Sequence, residues 1–140
     1  GLKRSEVHIQ AKNRARWLLK QSDNKGRFRL LPDILIDGNG VRPTIIIDTK
    51  WKRLVDVSKK TTNGVSQADI YQLYAYAHRF DCSRNILLYP HAAGVSPSVY
   101  RLDGDESGKQ LKIALLDLNY DLRMCIDRML SDLSAVLHFG

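Results

Sequence analysis

Three residues stand out for the chemistry they could do together: Asp33, Asp48 and Lys50. Asp33 follows Pro32, and fourteen residues separate it from Asp48, which opens the triplet Asp48-Thr49-Lys50. Paired carboxylates are hard oxygen ligands of the kind Mg²⁺ takes, usually with waters completing its shell. Such an ion lowers the pKa of a bound water and offsets charge building on a phosphoryl group. A lysine beside it can position that water and stabilise the transition state. Asp33 and Asp48 are therefore candidate metal ligands, for Mg²⁺ with Mn²⁺ as a substitute, and Lys50 a candidate catalytic lysine. The plainer alternative is a surface ion pair at a strand end.

The elements that must position these residues can be read from local pattern. Pro43-Thr44-Ile45-Ile46-Ile47 starts a strand that is β-branched and apolar on both faces, as a central strand is. Asp48 closes that run. Residues two apart in a strand share a face, so Asp48 and Lys50 point the same way. Residues 27–36 read as one strand interrupted by Pro32, and Asp37-Gly38-Asn39-Gly40 as the turn of a hairpin. That hairpin sets Asp33 opposite residues 45–47, within two or three positions of Asp48.

Residues 66 to about 79 predict a helix. Ser66 is its N-cap, with Asp69 three residues later as in a capping box. Ile70, Leu73, Tyr74, Ala77 and Phe80 form its apolar stripe. Asp69, Gln72 and Tyr76 share the flank beside it. Asp69 is expected to cap, while Gln72 and Tyr76 can hold a phosphate oxygen or a water. Lys52, Arg53, Lys59 and Lys60, in or before the polar loop of residues 53–64 that precedes this helix, are candidate contacts to DNA phosphates. Trp51 is expected to pack. Strands are also expected at 7–10, 85–89, 98–102 and 111–118. Residues 15–20 fit either a strand or a helix end. A second amphipathic helix is expected from Tyr120 to about Leu137, with Leu122, Ile126, Met129, Leu130, Leu133 and Leu137 inward. The order predicts an α/β domain with a mixed central sheet and flanking helices.

Composition narrows the class. The 140 residues carry a net charge of +7, and residues 1–30 hold nine Lys/Arg against two acids while the remainder holds thirteen of each sign. The whole excess sits in Lys3, Arg4, Lys12, Arg14, Arg16, Lys20, Lys25, Arg27 and Arg29, which points to a polyanion or to a solvated basic surface. There is no apolar run long enough to span a membrane and no signal-peptide pattern at the start. Cys82 and Cys125 share no ligand spacing and suit a reducing, cytoplasmic setting. His8, His78, His91 and His138 likewise lack metal-ligand spacing.

Three strings carry a more specific signal: Leu31-Pro32-Asp33-Ile34-Leu35-Ile36, Ile45-Ile46-Ile47-Asp48-Thr49-Lys50-Trp51-Lys52, and Gly64-Val65-Ser66-Gln67-Ala68-Asp69-Ile70-Tyr71-Gln72-Leu73-Tyr74-Ala75-Tyr76. They resemble the McrC nuclease domain of the PD-(D/E)XK superfamily, over about residues 28–90. The resemblance implies a restriction-endonuclease-like fold, Asp33 and Asp48 as Mg²⁺ ligands, Lys50 as the catalytic lysine, and Gln72 and Tyr76 as the QxxxY element of RecB-like relatives. It implies cleavage of modified DNA in concert with a separate McrB-like AAA+ GTPase. The sequence has no Walker-type glycine-rich loop, so GTP chemistry would come from that partner. Many superfamily members place a Glu on a helix before the first strand. Glu6 does not match it, and the expectation is a single nuclease domain over residues 1–140 whose N-terminal helix and partner-binding region lie upstream. Two other functions stay open: a non-catalytic nucleic-acid-binding or assembly domain with a nuclease fold, and a RecB-like or resolvase-like nuclease acting without a GTPase.

Overall fold

A computed structural model of the chain describes residues 7–38, 42–55, 64–119, 121 and 124–139. Its centre is a six-stranded sheet in the order β1-β4-β5-β6-β8-β7, formed by β1 (Val7–Ile9), β4 (Ile34–Asp37), β5 (Pro43–Thr49), β6 (Arg84–Pro90), β7 (Ser98–Arg101) and β8 (Gln110–Leu116). The pairs β5/β6 and β6/β8 are parallel and the others antiparallel. A parallel pair needs a long crossover, and helix α1 (Gln67–Arg79) supplies it between β5 and β6. Helix α2 (Ile126–Leu137) follows the last strand. This mixed sheet with helices is the restriction-endonuclease-like α/β architecture that the sequence implied.

Strand alternation divides the core into two layers. Leu35, Ile46, Leu87, Tyr89, Leu111 and Ile113 pack with Leu73, Tyr76 and Phe80 of α1. Their neighbours Ile36, Ile45, Ile47, Ile86 and Ala114 pack with Val136 of α2. Asp48 shares the parity of Ile46, and Asp33 that of Leu35. Both carboxylates therefore belong to the α1 side.

Several expectations change. Residues 27–36 are two strands in two sheets. β3 (Gly26–Leu30) pairs with β2 (Arg16–Lys20) in a separate hairpin, and β4 pairs with β1 and β5. Leu31-Pro32 marks the crossing, because proline has no N–H to continue a ladder. Register shifts between Ile36 and Asp37, not at Pro32. Asp37 is no simple turn residue: it is buried and accepts from Arg14 at 2.7 and 2.9 Å, with His8 Nε2 at 2.9 Å. α2 starts at Ile126, and Tyr120 and Leu122 lie outside the described residues. Ile126 and Leu130 are exposed rather than inward, since α2 lays Val136 against the sheet. Among the described residues no helix is long and apolar enough to cross a membrane.

Candidate active site

Ile34 pairs with Ile47 across β4 and β5, so Asp33, one residue earlier, sits level with the Asp48–Thr49 end of β5. Asp33 Oδ2 accepts from the Thr49 amide at 2.8 Å and the Thr49 hydroxyl at 2.6 Å. Its other oxygen has only a long contact, 3.5 Å from Gln10 Nε2. Two donors thus fix the carboxylate while leaving Oδ1 largely available.

Asp48 lies at the end of the central strand, 4% exposed. Burial raises its pKa, opposed by Lys50, and the charge on Asp33 raises it further. Lys50 Nζ is 2.6 Å from Asp48 Oδ2, a close ion pair with the aspartate buried. A charged pair at the tip of a buried strand, beside a second carboxylate, marks the site. The ammonium also donates to Gln72 Oε1, at 2.8 Å.

Helix α1 supplies the second wall. Ser66 caps it, its hydroxyl accepting from the Asp69 amide at 3.2 Å. Gln72 Nε2 donates to the Tyr76 hydroxyl at 2.8 Å. The four-residue spacing that makes side chains neighbours on a helix links this pair. The amide is thereby oriented with its oxygen toward Lys50. Burial, and then the charge of Asp48, hold the Tyr76 phenol well above its ordinary pKa. Tyr76 remains a neutral donor and acceptor at any physiological pH.

The sequence reading undervalued Asp69. Its backbone takes part in the cap as expected, but its carboxylate belongs to the site. It accepts from the Tyr89 hydroxyl at 2.9 Å, pairs with Lys52, and lies 3.7 Å from Lys50 Nζ. Burial works to raise its pKa, but hydrogen bonds from Lys52, Ser66 and Tyr89 and the charge of Lys50 lower it overall. The available signal was its place on the flank shared with Gln72 and Tyr76. Thr49, Tyr89 and Gln10 were also missed, since each contributes through a partner distant in sequence.

The proposed phosphate contacts differ in their surroundings. Lys52 donates to Ser66 Oγ at 3.2 Å as well as pairing with Asp69, so its charge is partly neutralised. Arg53 lines an open groove with Leu54, Val55, His91 and Asn119. Lys59 and Lys60 lie outside the described residues. Trp51 does not pack: it is 85% exposed, and neither it nor Lys52 continues β5, which ends at Thr49. It borders a recess of about 180 Å³ formed with Lys50, Leu88, Pro90 and Leu116.

Among the described residues no group of three or more His, Cys, Asp or Glu side chains is arranged to hold a metal ion. A cation here would rest on Asp33 and Asp48 with waters. The donor set fits: both ligands are hard carboxylate oxygens, and Asp33 Oδ1 has only its 3.5 Å contact with Gln10. Residues 2–90 match the family model described as McrBC 5-methylcytosine restriction system component. A search of curated proteins found no match.

Proposed function

Because the chain belongs to the McrBC 5-methylcytosine restriction system component family, we propose that it supplies that system's Mg²⁺-dependent DNA endonuclease activity. Its partners are modified DNA and an McrB-like AAA+ GTPase motor. The observation that carries this reading is the meeting of Asp33, buried Asp48 and Lys50 at the end of β5, with the lysine anchored by Gln72.

Asp33 and Asp48 would hold the divalent cation, which would supply an acidified water and offset charge on the phosphoryl group. The two Thr49 bonds keep Asp33 from rotating. Lys50 aims its ammonium at the space beside Asp48, where it orients the attacking water and offsets charge on the scissile phosphate. Gln72 fixes that ammonium, and Tyr76 fixes Gln72. Asp69 and Lys52 balance the charge behind Lys50, which restrains the lysine from that side.

Calorimetric titration with Mn²⁺ tests the site directly. Wild type binds the ion, and Asp33→Asn and Asp48→Asn each lose at least about tenfold in affinity. Wild-type heats that are absent even with DNA added would sink the metal assignment. Cleavage of methylated DNA only when the GTPase and GTP are present supports the motor partnership, and equal cleavage without them favours the GTPase-independent alternative.

A further inference from the structure

The hairpin of β2 and β3 stands apart from the central sheet. All five residues of β2 are exposed, as are Arg27, Phe28 and Arg29 of β3. A two-stranded ribbon wet on both faces is marginal by itself, so its anchors matter. Leu30 enters the α1-side core. Arg79 Nε donates to the Trp17 carbonyl at 2.8 Å, and the Arg16 guanidinium lies 5.2 Å from the Phe80 ring centre. Trp17 lies across Gly26 so closely that a Cβ there would fall 2.2 Å from the indole. These contacts hold the root of the ribbon and leave its length projecting.

Its chemistry suits one class of partner. Residues 16–30 contain five Lys/Arg and a single acid, Asp23. Asp23 sits 3.6 Å from Arg27 and 3.8 Å from Lys25. Lys20 and Arg29 have no ion pair among the described residues. Exposed Trp17, Leu19 and Phe28 interleave with these charges, Phe28 at 69% exposure with a left-handed φ of 56°. A recess of about 420 Å³ at the root adds Arg14, Arg16 and Arg79. The site is close: Leu30 is followed three residues later by Asp33, a chain span of at most ~10 Å.

We propose that this ribbon is a duplex-DNA contact that seats the substrate beside the Asp33–Asp48 site, with Lys20, Arg27 and Arg29 on phosphates. The major groove, about 12 Å wide, admits a two-stranded ribbon of this kind. The proposal rests on the nuclease reading for its substrate but concerns residues that reading does not use.

The test is fluorescence anisotropy with a short labelled duplex, in EDTA, from ~50 to ~200 mM NaCl. Each phosphate contact contributes about 0.9 to the slope of log affinity against log salt. Arg27→Ala/Arg29→Ala is expected to bind at least about tenfold more weakly, with the slope reduced by about two, and to keep wild-type Mn²⁺ affinity. Unchanged DNA affinity and slope overturn the proposal. They do so in favour of a second copy of the chain if sedimentation shows the double variant changing oligomeric state. Asp48→Asn separates the two claims. If it keeps DNA binding while wild type binds no Mn²⁺, the ribbon stands and the metal-site reading fails. If Mn²⁺ binds normally but the ribbon variant holds DNA as wild type does, the ribbon fails alone.

Discussion

Two lysines, Lys112 buried within the sheet and Lys50 half-buried just beyond the end of β5, sit on opposite faces and are treated in opposite ways. Lys112 of β8, 7% exposed, points to the α2 side and donates to the carbonyls of Ala135, Val136 and His138, the first two at 2.9 and 3.0 Å. An ammonium has three donors, and all are used on the last turn of a helix, where positive charge is favoured. Lys50, at the end of β5 on the α1 side, makes one directed bond, to Gln72, and two ionic contacts, to Asp48 and Asp69. The first cation is a finished piece of structure. The second rests on side chains, two of them carboxylates, rather than on the fixed backbone of a helix end, so its partners can turn to accept one more ligand.

Replacing each lysine should break the comparison in opposite directions. Lys50→Ala is expected to cut DNA cleavage by about 10²–10³, as losing one charge-stabilising donor does elsewhere, while lowering the melting temperature less than Lys112→Ala does, because Asp48 can take up a proton once its partner is gone. Assays at saturating Mg²⁺ with the GTPase present read the first, and calorimetric melts the second. A fully active Lys50→Ala would reduce it to an ordinary ion-pair partner. Lys112→Ala is expected to do the reverse. It orphans the carbonyls at the end of α2 and should cost about 2–3 kcal/mol of stability, with Mn²⁺ affinity retained.

The smallest effect sharpens the contrast through pH. Asp69 has its pKa held below the ordinary carboxylate value, so the unfolded chain takes up the proton first as pH falls. Its stabilising contribution is therefore complete above roughly pH 5 and drains away as pH drops through about 3.9 toward the folded value. Denaturant titrations from pH 6 to pH 3 should show a steeper acid loss for wild type than for Asp69→Asn. Parallel curves would mean that the Lys52 and Tyr89 contacts do not persist in solution.

What the sequence disclosed depended on how local the cause was. The isoleucine run of β5 and the Ser66-capped helix are local patterns, and the hairpin register brought Asp33 near Asp48, whereas the bond of Gln72 to Lys50 depends on how α1 packs and was not foreseen. The division of residues 27–36 was hidden because extended preference does not say which sheet a strand joins. Asp69 was misjudged because its N–H and its carboxylate do different jobs, and only the second involves residues far along the chain. Trp51 was expected to pack because tryptophan usually does. Ile126 and Leu130 show that an apolar helical stripe can be wider than the surface available to bury it.

The alternation along β5 ties the chemistry to the core in one reading phase. Ile45 and Ile47 serve the α2 layer, while Ile46 and Asp48 serve the α1 layer. A single residue added between Ile45 and Asp48 would rotate every later side chain to the other face. Both charged groups would then be aimed at α2, away from Gln72. The strand can change length only in steps of two without parting its Asp48 end from its helix, so a one-residue indel here acts on the candidate site and on packing at once.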